Sequence, residues 1–170
     1  VFPAATTQFA EDFSVDLAAT QKVQDALVRD GVHGVIAMGT VGENNSLTAE
    51  EKRDVLRGAV EAVNKRVPVI AGVSELDTPR AVAFARDAEK LGADGLMVLP
   101  AMVYVPSEDE LVTHLRTVAR ATGLPVMLYN NPPAYRVSIG AGALKQLADQ
   151  PNIVCLKESA PERSNAGSGS

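Results

Sequence analysis

Short apolar runs alternating with amphipathic helices predict an α/β fold built on a parallel sheet. No phosphate-binding glycine loop follows the first run, which favours a sheet closed as a (β/α)8 (TIM) barrel over an open, doubly wound one. About six β/α units, each of roughly 30 residues, are counted along the 170-residue chain. A complete barrel takes about 250 residues and eight strands. The expectation is therefore a barrel domain over residues 1–160 whose C-terminal units are missing, followed by a linker-like tail over 161–170 dominated by small and polar residues.

The strand-like runs are 2–7, 34–39, 67–73, 95–99, 125–129 and 152–156. Each is short, apolar and bounded by Gly, Pro or a polar turn, as in strands buried on both faces. Helices fill the gaps. Residues 16–30 place Leu17, Val23, Ala26 and Leu27 on one side and end at Gly31. Thr48 and Glu51 read as a capping box opening a helix to about residue 64. Thr78-Pro79 reads as an N-cap and first helical proline, with that helix running to Leu91. Ser107 and Glu110 form a second capping box, before a helix ending near Thr122-Gly123. A shorter helix covers about 140–148.

Composition removes several classes of function. The hydrophobic fraction of 46% supplies one core, and a net charge of −5 with no basic stretch argues against nucleic acid. No apolar run reaches the ~18–20 residues that span a bilayer. The chain opens Val1-Phe2-Pro3, without Met or a basic leader, so the reading is a cytoplasmic protein whose natural first residues are not represented. One cysteine excludes an internal disulfide, and Cys155 is expected to pack inside as a small hydrophobe. His33 and His114 have no partner at ligand spacing, so no metal is expected; His33 reads as a loop residue and His114 as helix surface.

Three places could carry chemistry. Strand alternation puts Lys157 on the side of Cys155 and Ile153, at the C-terminal end of its strand, where barrel active sites lie. Desolvation there lowers an amine's pKa and leaves it free to attack a carbonyl; the alternative is a surface lysine paired with Glu158. Tyr129 ends the preceding strand on the face of Met127, as a proton relay or as a packing aromatic, with a turn-forming Asn130-Asn131-Pro132-Pro133 after it. Gly39-Thr40-Val41-Gly42-Glu43 follows the second strand. Its N–H groups suit an anionic carboxylate, and Thr40 is expected on the face of Met38 and Ile36; an ordinary βα loop is the alternative.

Taken in order, Gly39-Thr40-Val41-Gly42-Glu43, Tyr129-Asn130-Asn131-Pro132 and Leu156-Lys157-Glu158-Ser159 resemble the dihydrodipicolinate synthase/N-acetylneuraminate lyase family over residues 1 to about 160. The resemblance implies a (β/α)8 barrel, often tetrameric, that needs no cofactor. It makes Lys157 the Schiff-base nucleophile towards a 2-oxo acid such as pyruvate, Tyr129 the proton relay, and the loop at Thr40 and Val41 the holder of the substrate carboxylate, with Gly39 and Gly42 shaping that loop. The activity implied is aldol cleavage or condensation, or dehydration, by a homo-oligomeric lyase.

Two departures set this sequence apart from the synthase subgroup. Val41 stands where a second Thr is usual, and Ala134 where an Arg holds the aldehyde's carboxylate; Arg136 lies two residues further on. The loop from Pro100 to Pro106 is one residue longer than the family pattern, with Tyr104 as the candidate for its second, subunit-crossing tyrosine. The reading is a family member other than the lysine-pathway synthase. The synthase itself, and a non-catalytic fragment or 2-oxo acid binding protein, are the alternatives.

Overall fold

A computed structural model describes residues 1–101 and 103–159; the tail expected over 161–170 lies outside the described residues. Five strands form one parallel sheet in sequential order: β1 (Val35–Ala37), β2 (Val69–Val73), β3 (Gly95–Val98), β4 (Val126–Asn130) and β5 (Ile153–Glu158). Helices α1 (Leu17–Arg29), α2 (Ala49–Val63), α3 (Thr78–Lys90), α4 (Glu108–Arg120), α5 (Pro132–Tyr135) and α6 (Ala141–Leu147) connect them. Each strand pairs with the next in parallel. Four such steps in one direction are the curvature of a barrel wall rather than of a doubly wound sheet, whose order reverses at a switch point.

Strands β1 to β4 are buried on both faces, which is why they read as continuous apolar runs. Val35, Ala37, Val69, Ala71, Val98, Val126 and Leu128 point outward into the core shared with the helices. Ile36, Met97, Leu99 and Tyr129 form a second, inner cluster, with Ala4, Ile70, Met127 and Tyr135 packed against it.

The run at 2–7 is not a full strand. It reaches the sheet by one parallel bridge, Ala4 to Ile36, and by the bonds Ala5 N to Ile36 O and Ile36 N to Pro3 O, both 2.9 Å. The ladder does not continue past Ala37, the end of β1, where Met38 adopts φ 56°, and residues 6 and 7 join no strand among the described residues. Thr7 instead donates its hydroxyl to Gly42 O at 2.7 Å.

Both capping boxes form, at Thr48/Glu51 and Ser107/Glu110. The third helix begins otherwise than expected: Asp77 is the cap, accepting from Arg80 N, with Thr78 and Pro79 inside the first turn. The Thr78 hydroxyl is thereby freed to meet His114 Nδ1 at 2.9 Å. His114 is not on the helix surface. It is buried, with Nε2 3.2 Å from Leu99 O, and that burial holds its pKa below the ordinary value. Helix α1 also departs from expectation: its buried residues are Thr20 and Gln24, and Leu17 is exposed.

Strand β5 carries an irregularity. Val126 pairs with Ile153 and Met127 with Cys155, so Val154 is an extra residue. Alternation is broken there. Ile153 packs into the outer core with Leu156, on the face opposite Lys157, contrary to a regular strand. Cys155 is exposed, not interior, because β5 is the edge strand of the sheet.

Candidate active site

The C-terminal ends of β1, β4 and β5 bring four side chains into a continuous series. Lys157 pairs in register with Tyr129 across the β4–β5 ladder, and its Nζ lies 4.6 Å from the centroid of the Tyr129 ring. Lys157 thus sits over a ring face, and the Glu158 carboxylate accepts from Asn130 Nδ2 at 2.7 Å. Tyr129 meets Tyr135 edge to face, with centroids 5.9 Å apart and planes at 78°. The Tyr135 hydroxyl lies 2.5 Å from Thr40 Oγ1.

The turn after β4 builds half of this arrangement. Asn131 caps the short helix α5 by accepting from Ala134 N at 3.4 Å, and its Nδ2 donates to the Tyr129 hydroxyl at 2.9 Å. Accepting from Asn131 leaves the Tyr129 O–H hydrogen free to donate elsewhere. Asn130 locks the strand end, its Oδ1 accepting from Ile139 N at 2.8 Å and its carbonyl from Ser159 N at 2.9 Å. Burial raises the pKa of Tyr135 above the ordinary phenol value, only partly offset by the Thr40 bond, so Tyr135 stays protonated at neutral pH.

The loop after β1 is a 3-10 turn over Thr40–Gly42, followed by a second over Asn44–Ser46. Thr40 does not share a strand face with Met38: the left-handed Met38 backbone sends that side chain into the outer core while Ile36 faces inward. Gly72 on β2 permits this, because a Cβ there would lie 2.1 Å from Met38 O. Asn44 is buried and fastens the crossing, donating to Met38 O at 3.2 Å and Gly72 O at 2.9 Å.

Of the other expected site residues, Gly39 borders the inner cluster, and a Cβ there would meet Met97 and Ile36. Val41 is 55% exposed beside Thr40. Gly42 is buried with both backbone groups committed, its N–H to Gly39 O and its carbonyl to Thr7. It supports the loop and does not face the series of side chains. Tyr104 is not brought to them either. It is 62% exposed, and its hydroxyl donates to Glu110 Oε1 at 3.0 Å. Arg136 ends α5 at φ 56° and is exposed, its guanidinium without a hydrogen-bond partner among the described residues.

Sequence reading missed Tyr135 and Asn131. Only the turn residues around them gave a signal, since nothing local shows that Tyr135 meets a threonine 95 positions earlier. Among the described residues, no group of three or more His, Cys, Asp or Glu is placed to hold a metal, and no helix is long and apolar enough to cross a membrane.

A partial barrel wall with a lysine, a tyrosine and a threonine loop at its C-terminal rim defines a class of protein, and comparison places the chain within it. Residues 1–166 match the dihydrodipicolinate synthetase family, and the chain belongs to that family. It is 38% identical over 161 residues to a 4-hydroxy-tetrahydrodipicolinate synthase of Desulforamulus reducens, covering 94% of this chain and 54% of that one. The dihydrodipicolinate synthase of Aquifex aeolicus superposes with a TM-score of 0.90 at 34% identity, over 94% of this chain and 55% of that one. A prophage protein of the same family from E. coli, solved in complex with pyruvate, gives 0.88 at 33%, over 92% and 53%. The chain thus spans about half the length of the relatives it matches.

Proposed function

We propose that this protein is a lysine Schiff-base lyase acting on a 2-oxo acid of the pyruvate type, by aldol cleavage or condensation or by dehydration. We further propose that its second substrate is not that of the lysine-pathway synthase. The observation that carries the reading is Lys157 Nζ seated over the ring of Tyr129 at the strand ends, with Thr40 joined to the same aromatic pair.

In this reading the neutral Lys157 amine adds to C2 of the oxo acid, forming a C–N bond while the carbonyl oxygen takes up a proton. The Tyr129 hydroxyl protonates the departing hydroxyl, water leaves, and the iminium remains. Loss of a C3 proton gives the enamine, which adds to an aldehyde; the reverse sequence cleaves one. Thr40, with the N–H groups of its turn, holds the carboxylate.

Ala134 stands where the resemblance puts an arginine for an aldehyde's carboxylate, Arg136 is exposed two residues further on, and Val41 brings no second hydroxyl. These support a different partner substrate. The name borne by the Desulforamulus reducens relative favours the synthase reading instead. A homo-oligomer, dimer or tetramer, is proposed from the resemblance, and light scattering on the full-length protein tests it.

The test of mechanism is borohydride reduction of the full-length protein with pyruvate, read by peptide mass spectrometry. The expected result is a pyruvate-sized adduct on Lys157 that Lys157→Ala abolishes. A folded sample without adduct refutes the lyase reading and leaves a 2-oxo acid binding protein. Product formation from pyruvate and the carboxylate-bearing aldehyde used by the synthases then decides between the two partner substrates.

A further inference from the structure

We infer that Tyr135 is a positioning residue for imine formation: its hydroxyl donates to Thr40 Oγ1 and so directs the Thr40 proton to the bound substrate, all within one chain. This rests on the Schiff-base reading above and names a component that reading does not require.

The donor direction follows from acidity. A phenol, with a pKa of about 10, is a far stronger acid than an aliphatic alcohol, so in the 2.5 Å pair the shared proton belongs to Tyr135. Thr40 has one hydroxyl hydrogen. With its oxygen already accepting from Tyr135, that hydrogen is left for another acceptor, and exposed Thr40 offers it to the open side of the site. Among the described residues Tyr135 is the only side chain hydrogen-bonded to Thr40.

Two positions that could have supplied Thr40 with a hydroxyl partner do not. Val41 has none, and the Tyr104 hydroxyl is engaged by Glu110. Tyr135 is also fixed independently of Thr40. It closes a turn whose cap residue, Asn131, holds the Tyr129 hydroxyl, and its ring packs edge-on against Tyr129. One short turn therefore sets both phenols, and a shift of Tyr135 is felt at Thr40 and at the ring beneath Lys157.

The experiment is a double-mutant cycle on the full-length protein. The rate of adduct formation between pyruvate and Lys157 is measured by quenching with borohydride at timed intervals. Tyr135→Phe keeps the ring and removes the hydroxyl; it should slow the adduct about tenfold, the effect of one lost hydrogen bond. Thr40→Val should slow it at least as much, and the double variant should match Thr40→Val alone, because both act through one hydroxyl. Wild-type rates in Tyr135→Phe, or effects that multiply in the double variant, overturn the inference and leave the Schiff-base reading intact. A wild-type protein that traps no pyruvate overturns the reading itself. Should Tyr135→Phe fail to fold, 3-fluorotyrosine at 135 alters the phenol's acidity at nearly constant shape; an unchanged rate there also overturns the inference.

Discussion

Gly72→Ala tests how the threonine loop is held. The added Cβ would sit 2.1 Å from Met38 O and 2.7 Å from Met38 C, and real Cβ atoms essentially never approach closer than 3.0 Å. Both atoms are backbone, so no side chain can swing aside. Met38 must retreat by about 1 Å, because packed interiors transmit such strain instead of absorbing it. Asn44 ties Met38 O to Gly72 O, so the retreat either breaks that bridge or carries the following turn with it. Thr40 then leaves Tyr135, since a bond of 2.5 Å lengthened by about 1 Å ceases to be one. Overpacking of this kind costs about 1–3 kcal/mol in stability, and misplacement by about 1 Å can cost on the order of 100-fold in rate. Urea midpoints and the borohydride-quenched pyruvate rate measure the two effects separately. Gly58→Ala is the control: its Cβ would meet only the Gln21 side chain, at 3.4 Å, and relief of a helical glycine should stabilise by about 0.5–1 kcal/mol. A Gly72→Ala protein as stable and as fast as wild type would refute the reasoning.

Three further outcomes are expected. Lys52 and Glu75 form a buried pair at 2.6 Å, with side chains 7% and 11% exposed; Glu75→Gln strands the ammonium and should cost about 3–5 kcal/mol by urea denaturation, much of it recovered in Lys52→Met/Glu75→Leu. Burial lowers the folded-state pKa of His114 from 6.5, against the opposing bond to Leu99 O and charge of Asp77. The unfolded chain therefore takes up this proton first, and stability should fall as pH drops through 6.5, levelling off below the folded-state value. His114→Gln should remove that slope, as unfolding titrations between about pH 7.5 and 5.5 will show. Finally, Val41→Thr with Ala134→Arg should raise 4-hydroxy-tetrahydrodipicolinate formation about tenfold or more, the value of a charge-assisted bond to the aldehyde carboxylate; a protein already fast before substitution is the synthase.

The helices were legible because their signals are local. Thr48/Glu51 and Ser107/Glu110 cap as their spacing requires, and Gly31 and Gly92 take the positive φ of helix ends. The order of the strand-end motifs also placed Lys157 and Tyr129 on adjacent strands. His114 was misread through its residue type: Leu111, Leu115 and Val118 mark the buried stripe, and 114 lies on it. The face of Met38 was illegible because one left-handed residue undoes alternation, and the space for it comes from a glycine on another strand. Tyr135 was missed for a similar reason, since its partner belongs to a different loop.

Strand β5 has slack built into it. Its lower end is anchored by Asn152, whose Nδ2 reaches the carbonyls of Ala119, Thr122 and Leu124, and its upper end is keyed to Tyr129. Between these fixed points Val154 takes up one residue without a partner. The address of Lys157 is therefore defined by the strand beside it and not by counting from the strand's beginning. A lineage could lose Val154 and still keep its lysine facing the same tyrosine.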